Sequence, residues 1–110
     1  MTKRLPNIHP GEILAEEFME PMHVTGYRLA KDTGIDPKRI SDIIHRKRSV
    51  SADTALRLSK FFGTTAQFWL NLQNSFDLEE KQRELGKALS KIHRYSEEPV
   101  ASLERHTTRL

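Results

Sequence analysis

The stretch from Thr25 to Val50 constrains this chain most, because T-G-Y-R-L-A-K-D-T-G-I-D-P-K-R-I-S-D-I-I-H-R-K-R-S-V reads as two short helices joined by a tight turn. Thr25 stands where a side-chain oxygen can accept from the free amides of a helix start, and Tyr27, Leu29 and Ala30 follow it. Gly34 supplies the left-handed backbone of a sharp turn, and Ile35 is expected to drop into the core as its plug. Asp36 caps the second helix, and Pro37 takes its first position, where no amide is needed. Ile40, Ile43 and Ile44 recur at i, i+3 and i+4 as a buried stripe. With that stripe inward, about 100° per residue sets Lys38, Asp42 and His45 near the centre of the outward face and Arg39 and Ser41 on its flanks. Such hydrogen-bonding groups suit base edges, so a helix-turn-helix of this form implies DNA.

Arg46, Lys47 and Arg48 follow that face as consecutive cations. Runs of this kind are ordinarily solvated surface, but this one closes the candidate recognition helix, where phosphate contact is the better reading. The net charge of +3 and pI near 9.4 suit a polyanionic partner without demanding one, so the position of the charge carries the argument.

Around this unit the chain reads as all-α. Residues 1–8, broken by Pro6, form an expected flexible arm whose Lys3 and Arg4 lie along phosphate or in water. Pro10 opens a first helix with Glu12 in its first turn; Ile13, Leu14, Phe18 and Met22 face inward, Glu16, Glu17 and Glu20 outward, and Pro21 ends it. Ser51 caps a fourth helix with Ala52, Ala55, Leu58, Phe61 and Phe62 inward, and Gly63 stops it. The fifth starts at Thr64 or Thr65, where Thr64 and Gln67 resemble a capping box.

That fifth helix carries Phe68, Trp69, Leu70, Leu72 and Phe76, more apolar surface than one stripe needs. All of it can be core; the alternative assigns Phe68, Trp69, Leu72 and Phe76 to a homodimer interface, since helix-turn-helix proteins usually read two half-sites about 34 Å apart. From Asp77 to Tyr95 a sparse stripe of Leu78, Leu85, Leu89 and Ile92 predicts a sixth, largely exposed helix. The expected organisation is therefore a five-helix helix-turn-helix domain over 9–78, an additional C-terminal helix over 79–95 and a disordered tail over 96–110.

Several chemistries have no footing here. Cysteine is absent, which removes disulfides and thiolate chemistry. There is no G-x-G-x-x-G, P-loop, G-x-S-x-G or H-E-x-x-H, and His9, His23, His45, His93 and His106 are never paired at i,i+3 or i,i+4. The expectation is no enzyme, no metal and no cofactor. No stretch approaches the roughly 18 apolar residues of a membrane span, so a soluble cytoplasmic protein is expected.

The chain resembles the HigA-type (VapI-like) antitoxins among the phage-repressor-like helix-turn-helix regulators, over roughly His9 to Leu78. The resemblance rests on H-P-G-E-I-L at 9–14, L-A-x-x-x-G-I at 29–35, S-A-D-T-A-L-R-L at 51–58 and Q-F-W-L-N-L-Q-N-S-F-D-L at 67–78. It implies a homodimer that binds double-stranded operator DNA overlapping its own promoter, and a partner toxin, a small HigB-like ribonuclease of the RelE type. On this resemblance the DNA-reading positions fall on Thr25, Pro37, Lys38, Arg39, Ser41 and Asp42, with Arg46, Lys47 and Arg48 against phosphate. Arg46 stands where many relatives have glycine, so a left-handed backbone there would cost on the order of 1 kcal/mol. The first helix, the arm and the C-terminal extension all stay open as toxin contacts. A free-standing regulator without a toxin is the alternative.

Overall fold

A side chain that can accept a hydrogen bond stands ahead of each α-helix. His9, Thr25, Asp36, Ser51 and Thr65 cap α1 (Pro10–Ile13), α2 (Gly26–Thr33), α3 (Pro37–Ile44), α4 (Ala52–Phe62) and α5 (Ala66–Ser90). A computed structural model describes residues 6–96, and among these the secondary structure is entirely helical. Gly34 and Gly63 close α2 and α4 in left-handed conformation, both at φ 77°. The helix-turn-helix is therefore α2, a turn through Ile35, and α3, as the residue pattern demands.

The core lies where these helices meet. Leu14, Leu29, Ile35, Ile40, Ile43, Val50, Ala55, Leu58 and Trp69 are all buried, and the rings of Phe18 and Phe62 pack beside Trp69. α4 lies along α5, and α1 bridges α3 and α5, so α3 is held from behind while its other side stays open. The predicted N-terminal arm, so far as it is described, is tied down: Asn7 donates to the Phe76 carbonyl and to Glu80 on α5. Residues 1–5 and 97–110, and with them most of the predicted arm and nearly all of the predicted disordered tail, lie outside the described residues.

Five expectations need correction. α1 runs directly into a π-helical segment (Leu14–Met19), with Glu20 and Val24 donating to carbonyls five residues back, Ala15 and Met19. That wider turn ends the helix before Pro21, which has no amide to donate, and leaves Met22 53% exposed instead of inward. The predicted sixth helix does not exist as a separate element. Nothing between Phe76 and Glu79 breaks the backbone, and pairs such as Glu79–Arg83 and Lys81–Glu84 support one 25-residue helix across the expected boundary at residue 78.

The Thr64–Gln67 capping box does not form either. Thr65 accepts from the Phe68 amide, which frees the Thr64 hydroxyl to accept from the Trp69 indole at 2.8 Å, and Gln67 turns to Asn71. Finally, Trp69 is 0% exposed and belongs to the core, not to an interface. Its indole nitrogen is satisfied by Thr64, so a large ring is buried without an unpaired donor. Ala52, by contrast, points to solvent.

Candidate nucleic-acid interface

The open side of α3 carries the residues that the helical period placed there. Lys38 is 79% exposed, and its ammonium lies 3.2 Å from Asp42, whose carboxylate also faces Arg48 at 3.8 Å. Ser41 and His45 are exposed one turn apart, with His45 Nδ1 2.8 Å from the Ser41 carbonyl oxygen. Pro37 is exposed at the first turn, and Thr25 is exposed at the start of α2, where its hydroxyl accepts from the Arg28 amide. Between residues 36 and 48 the chain places five cations against two carboxylates, so the surface is positive but partly self-neutralised.

Arg39 behaves differently from its neighbours. Its side chain is only 29% exposed and turns to α4, where Nη1 donates to Asp53 at 2.7 Å and to the Thr54 hydroxyl at 3.2 Å. Asp53 is shared: Arg57 Nε donates to it at 3.1 Å, while Arg57 Nη1 donates to the Thr33 carbonyl at the end of α2. These hydrogen bonds, from Arg39 first and Arg57 second, hold the Asp53 carboxyl below its ordinary pKa. The cluster ties α2, α3 and α4 together behind the outward face, so Arg39 braces the recognition helix from its flank.

The basic turn has a defined backbone. His45 caps α3; the Arg46 amide donates to the Ile43 carbonyl and the Lys47 amide to that of Asp42, the paired bonds of a Schellman motif. The left-handed residue of that motif is Arg46, at φ 63°. The conditional cost of an arginine in place of glycine therefore applies, about 1 kcal/mol. What stands opposite its side chain is Glu12, whose Oε2 accepts from Nη1 at 3.0 Å. Lys47 has no ion pair among the described residues, and both it and Arg48 are exposed.

Residues outside the expected site hold it in place. A Cβ on Gly11 would lie 1.8 Å from the Ile43 carbonyl oxygen, so α1 meets the end of α3 backbone to backbone. His9 is buried, accepts at Nδ1 from the Gly11 amide and sits edge-on to Phe76 at 4.8 Å. Burial lowers its pKa below the ordinary value; Glu12 and Asp77 pull the other way, and the Arg46 guanidinium adds to the lowering. Gln73 of α5, also buried, accepts from the Val50 amide at 2.7 Å and so pins the end of the basic turn. Asp53 and Arg57 show one sequence signal, an i,i+4 pair; Gln73 shows none, since its partner is 23 residues away.

The fold and this surface define a helix-turn-helix protein, and the family HTH_3, Helix-turn-helix, matches residues 16–69. Virulence-associated protein I of Dichelobacter nodosus is 46% identical over 80 residues, covering 73% of this chain and 74% of its own length. Antitoxin HigA-1 of Vibrio cholerae is 39% identical over 77 residues, covering 70% of this chain and 71% of its own. The solved structure of Pseudomonas aeruginosa antitoxin HigA with the higBA promoter superposes with a TM-score of 0.77 at 37% identity, over 80% of this chain and 97% of that one. The chain belongs to the HigA-type helix-turn-helix family of antitoxins.

Proposed function

We propose that this chain is the antitoxin of a toxin–antitoxin pair: it binds operator DNA as a dimer, represses its own promoter and restrains a small RelE-like ribonuclease by forming a complex with it. The observation that carries the DNA half is the open face of α3, where exposed Lys38, Ser41 and His45 flank half-buried Asp42 above the basic turn, on a fold shared with a HigA solved with the higBA promoter. In this reading Lys38 donates to guanine O6 and N7, Ser41 and Asp42 discriminate neighbouring bases, and Thr25, Pro37, Arg46, Lys47 and Arg48 line the phosphates. Arg39, held by Asp53, contributes by fixing the pose of α3.

Dimerisation follows α5. Phe68 and Phe76 are half-buried, and their rings are already engaged by Phe18 with Trp69 and by His9; Leu72, also half-buried, packs on the core. The apolar stripe then continues into Leu78, Leu85 and Leu89, which are exposed, so the contact between copies takes the open edges of that row and its exposed continuation. The toxin half rests on family membership. Its test is co-expression of this chain with any small basic reading frame found adjacent to its gene: growth arrest by such a frame alone, relieved by this chain, supports the antitoxin. The same frame proving harmless alone supports a free-standing regulator.

A further inference from the structure

The ion pair between Arg46 and Glu12 joins the start of α1 to the turn behind the recognition helix. The left-handed backbone at Arg46, φ 63°, fixes the direction in which its side chain leaves the turn. Glu12 fixes where the guanidinium ends, because Oε2 accepts from Nη1 at 3.0 Å and the same oxygen accepts from the His9 amide at 3.4 Å. That carboxylate is itself anchored as the third residue of the α1 capping box. Next to it, Gly11 allows α1 to rest directly on the Ile43 carbonyl, which also accepts from the Arg46 amide. Carboxylate and guanidinium therefore ride on one rigid junction.

A guanidinium offers five N–H donors in a planar fork, and the contact to Glu12 uses one nitrogen of a side chain that is 60% exposed. We propose that Glu12 is a positioning residue for DNA binding: it holds Arg46 by one edge of the guanidinium and leaves the outer edge for a backbone phosphate. This rests on the reading of the chain as DNA-binding and of Arg46 as a phosphate contact. Two effects of opposite sign meet here. A carboxylate about 7 Å behind a phosphate repels it, yet at physiological salt removing that repulsion strengthens binding only about 1.5-fold. Immobilising an unrestrained arginine costs about 2- to 10-fold in affinity, and a side chain already held avoids much of that. Ordering outweighs repulsion, so removing a negative charge weakens binding to a polyanion.

The test is a double-mutant cycle on the full chain, read by fluorescence anisotropy at about 0.15 M salt. The probe is the duplex immediately upstream of this chain's own reading frame, with a scrambled duplex of equal length beside it. Glu12→Gln keeps a hydrogen-bonding group in the capping box and removes only the charge; Arg46→Ala removes the guanidinium. The expected result is a loss of about 2- to 5-fold for Glu12→Gln in the wild-type background and none when Arg46 is already alanine. Binding by Glu12→Gln as tight as wild type, or tighter, overturns the proposal. So does an equal loss in both backgrounds, which marks damage to the fold acting without Arg46. If Arg46→Ala alone binds as well as wild type, the phosphate contact is wrong and the positioning role falls with it, an outcome visible without any Glu12 variant.

Discussion

At the scale of single residues, the site depends on groups that touch no expected ligand. Gly11→Ala forces a methyl into the Ile43 carbonyl, a backbone atom that cannot step aside, and overpacking of this kind costs at least about 1–3 kcal/mol. Urea unfolding of the variant is expected to show that loss as a lower midpoint with an unchanged slope. His9 makes a second prediction. Buried and accepting from the Gly11 amide, it is held neutral below its ordinary pKa of about 6.5, whereas the unfolded chain takes up a proton there. Its contribution is complete above that value and is lost as pH falls through it toward the lowered folded pKa. Unfolding free energies measured from about pH 7.5 to 5.5 should decline for the wild type. They should decline less for His9→Asn, which keeps a capping oxygen but does not titrate.

Much at this scale was legible, because Thr25, Asp36, Ser51, Gly34 and Gly63 act through their immediate neighbours. Gly11, Gln73 and Trp69 act through residues far along the chain, and no local period announces them. Arg39 shows the same division: helical periodicity put it on the flank of α3, but only the packing of α4 shows that Asp53 takes it. Met22 was misassigned because an apolar residue at i+4 fits an α-helical stripe, while the backbone had already widened to i+5 bonds.

At the scale of elements, α3 and α5 divide the work. α3 is braced by α1 and α2 and tied to α4 through Arg39 with Asp53 and Thr54, and its outward side needs no rearrangement to present Lys38, Ser41 and His45. α5 buries its first turns and then leaves the body of the domain, with every residue from 80 to 90 exposed. The sequence stripe beyond Asp77 was read correctly as exposed and wrongly as a separate helix, since a charged helix former gives no sign of whether the helix before it has ended. Along this stretch Asp77, Glu79, Glu80 and Glu84 stand with Lys81 and Arg83, which pair with Glu84 and Glu79, ahead of the cations Lys87, Lys91 and Arg94, so two copies packed antiparallel would set a mildly acidic half against a basic one. Replacing Leu85 and Leu89 together by Asp is expected to raise the dimer dissociation constant by more than about tenfold in sedimentation equilibrium, given roughly 1.5–3 kcal/mol per leucine removed from water. Helix content by circular dichroism should barely change. An unaltered dimer would place the contact elsewhere on α5.

At the scale of the whole molecule, one braced unit offers a positive face on α3 and a largely charged helix, with a sparse leucine stripe, leading away from its body. A family resemblance in the flanking motifs, not the helix-turn-helix itself, identified the kind of protein, and those motifs turn out to be structural. H-P-G-E holds the junction between α1 and the basic turn, and Q-F-W-L-N-L-Q supplies Trp69 to the core and Gln73 to Val50. In the proposed function this junction aims α3 at particular bases. The most direct measurement is anisotropy of wild type and Lys38→Ala against the duplex upstream of its own gene and against a scrambled duplex, each across about 50–200 mM salt. The wild type is expected to prefer the upstream duplex at every salt concentration. Lys38→Ala is expected to lose about 1–3 kcal/mol of that preference while still binding both duplexes. Equal affinity of the wild type for the two duplexes would contradict the proposed function.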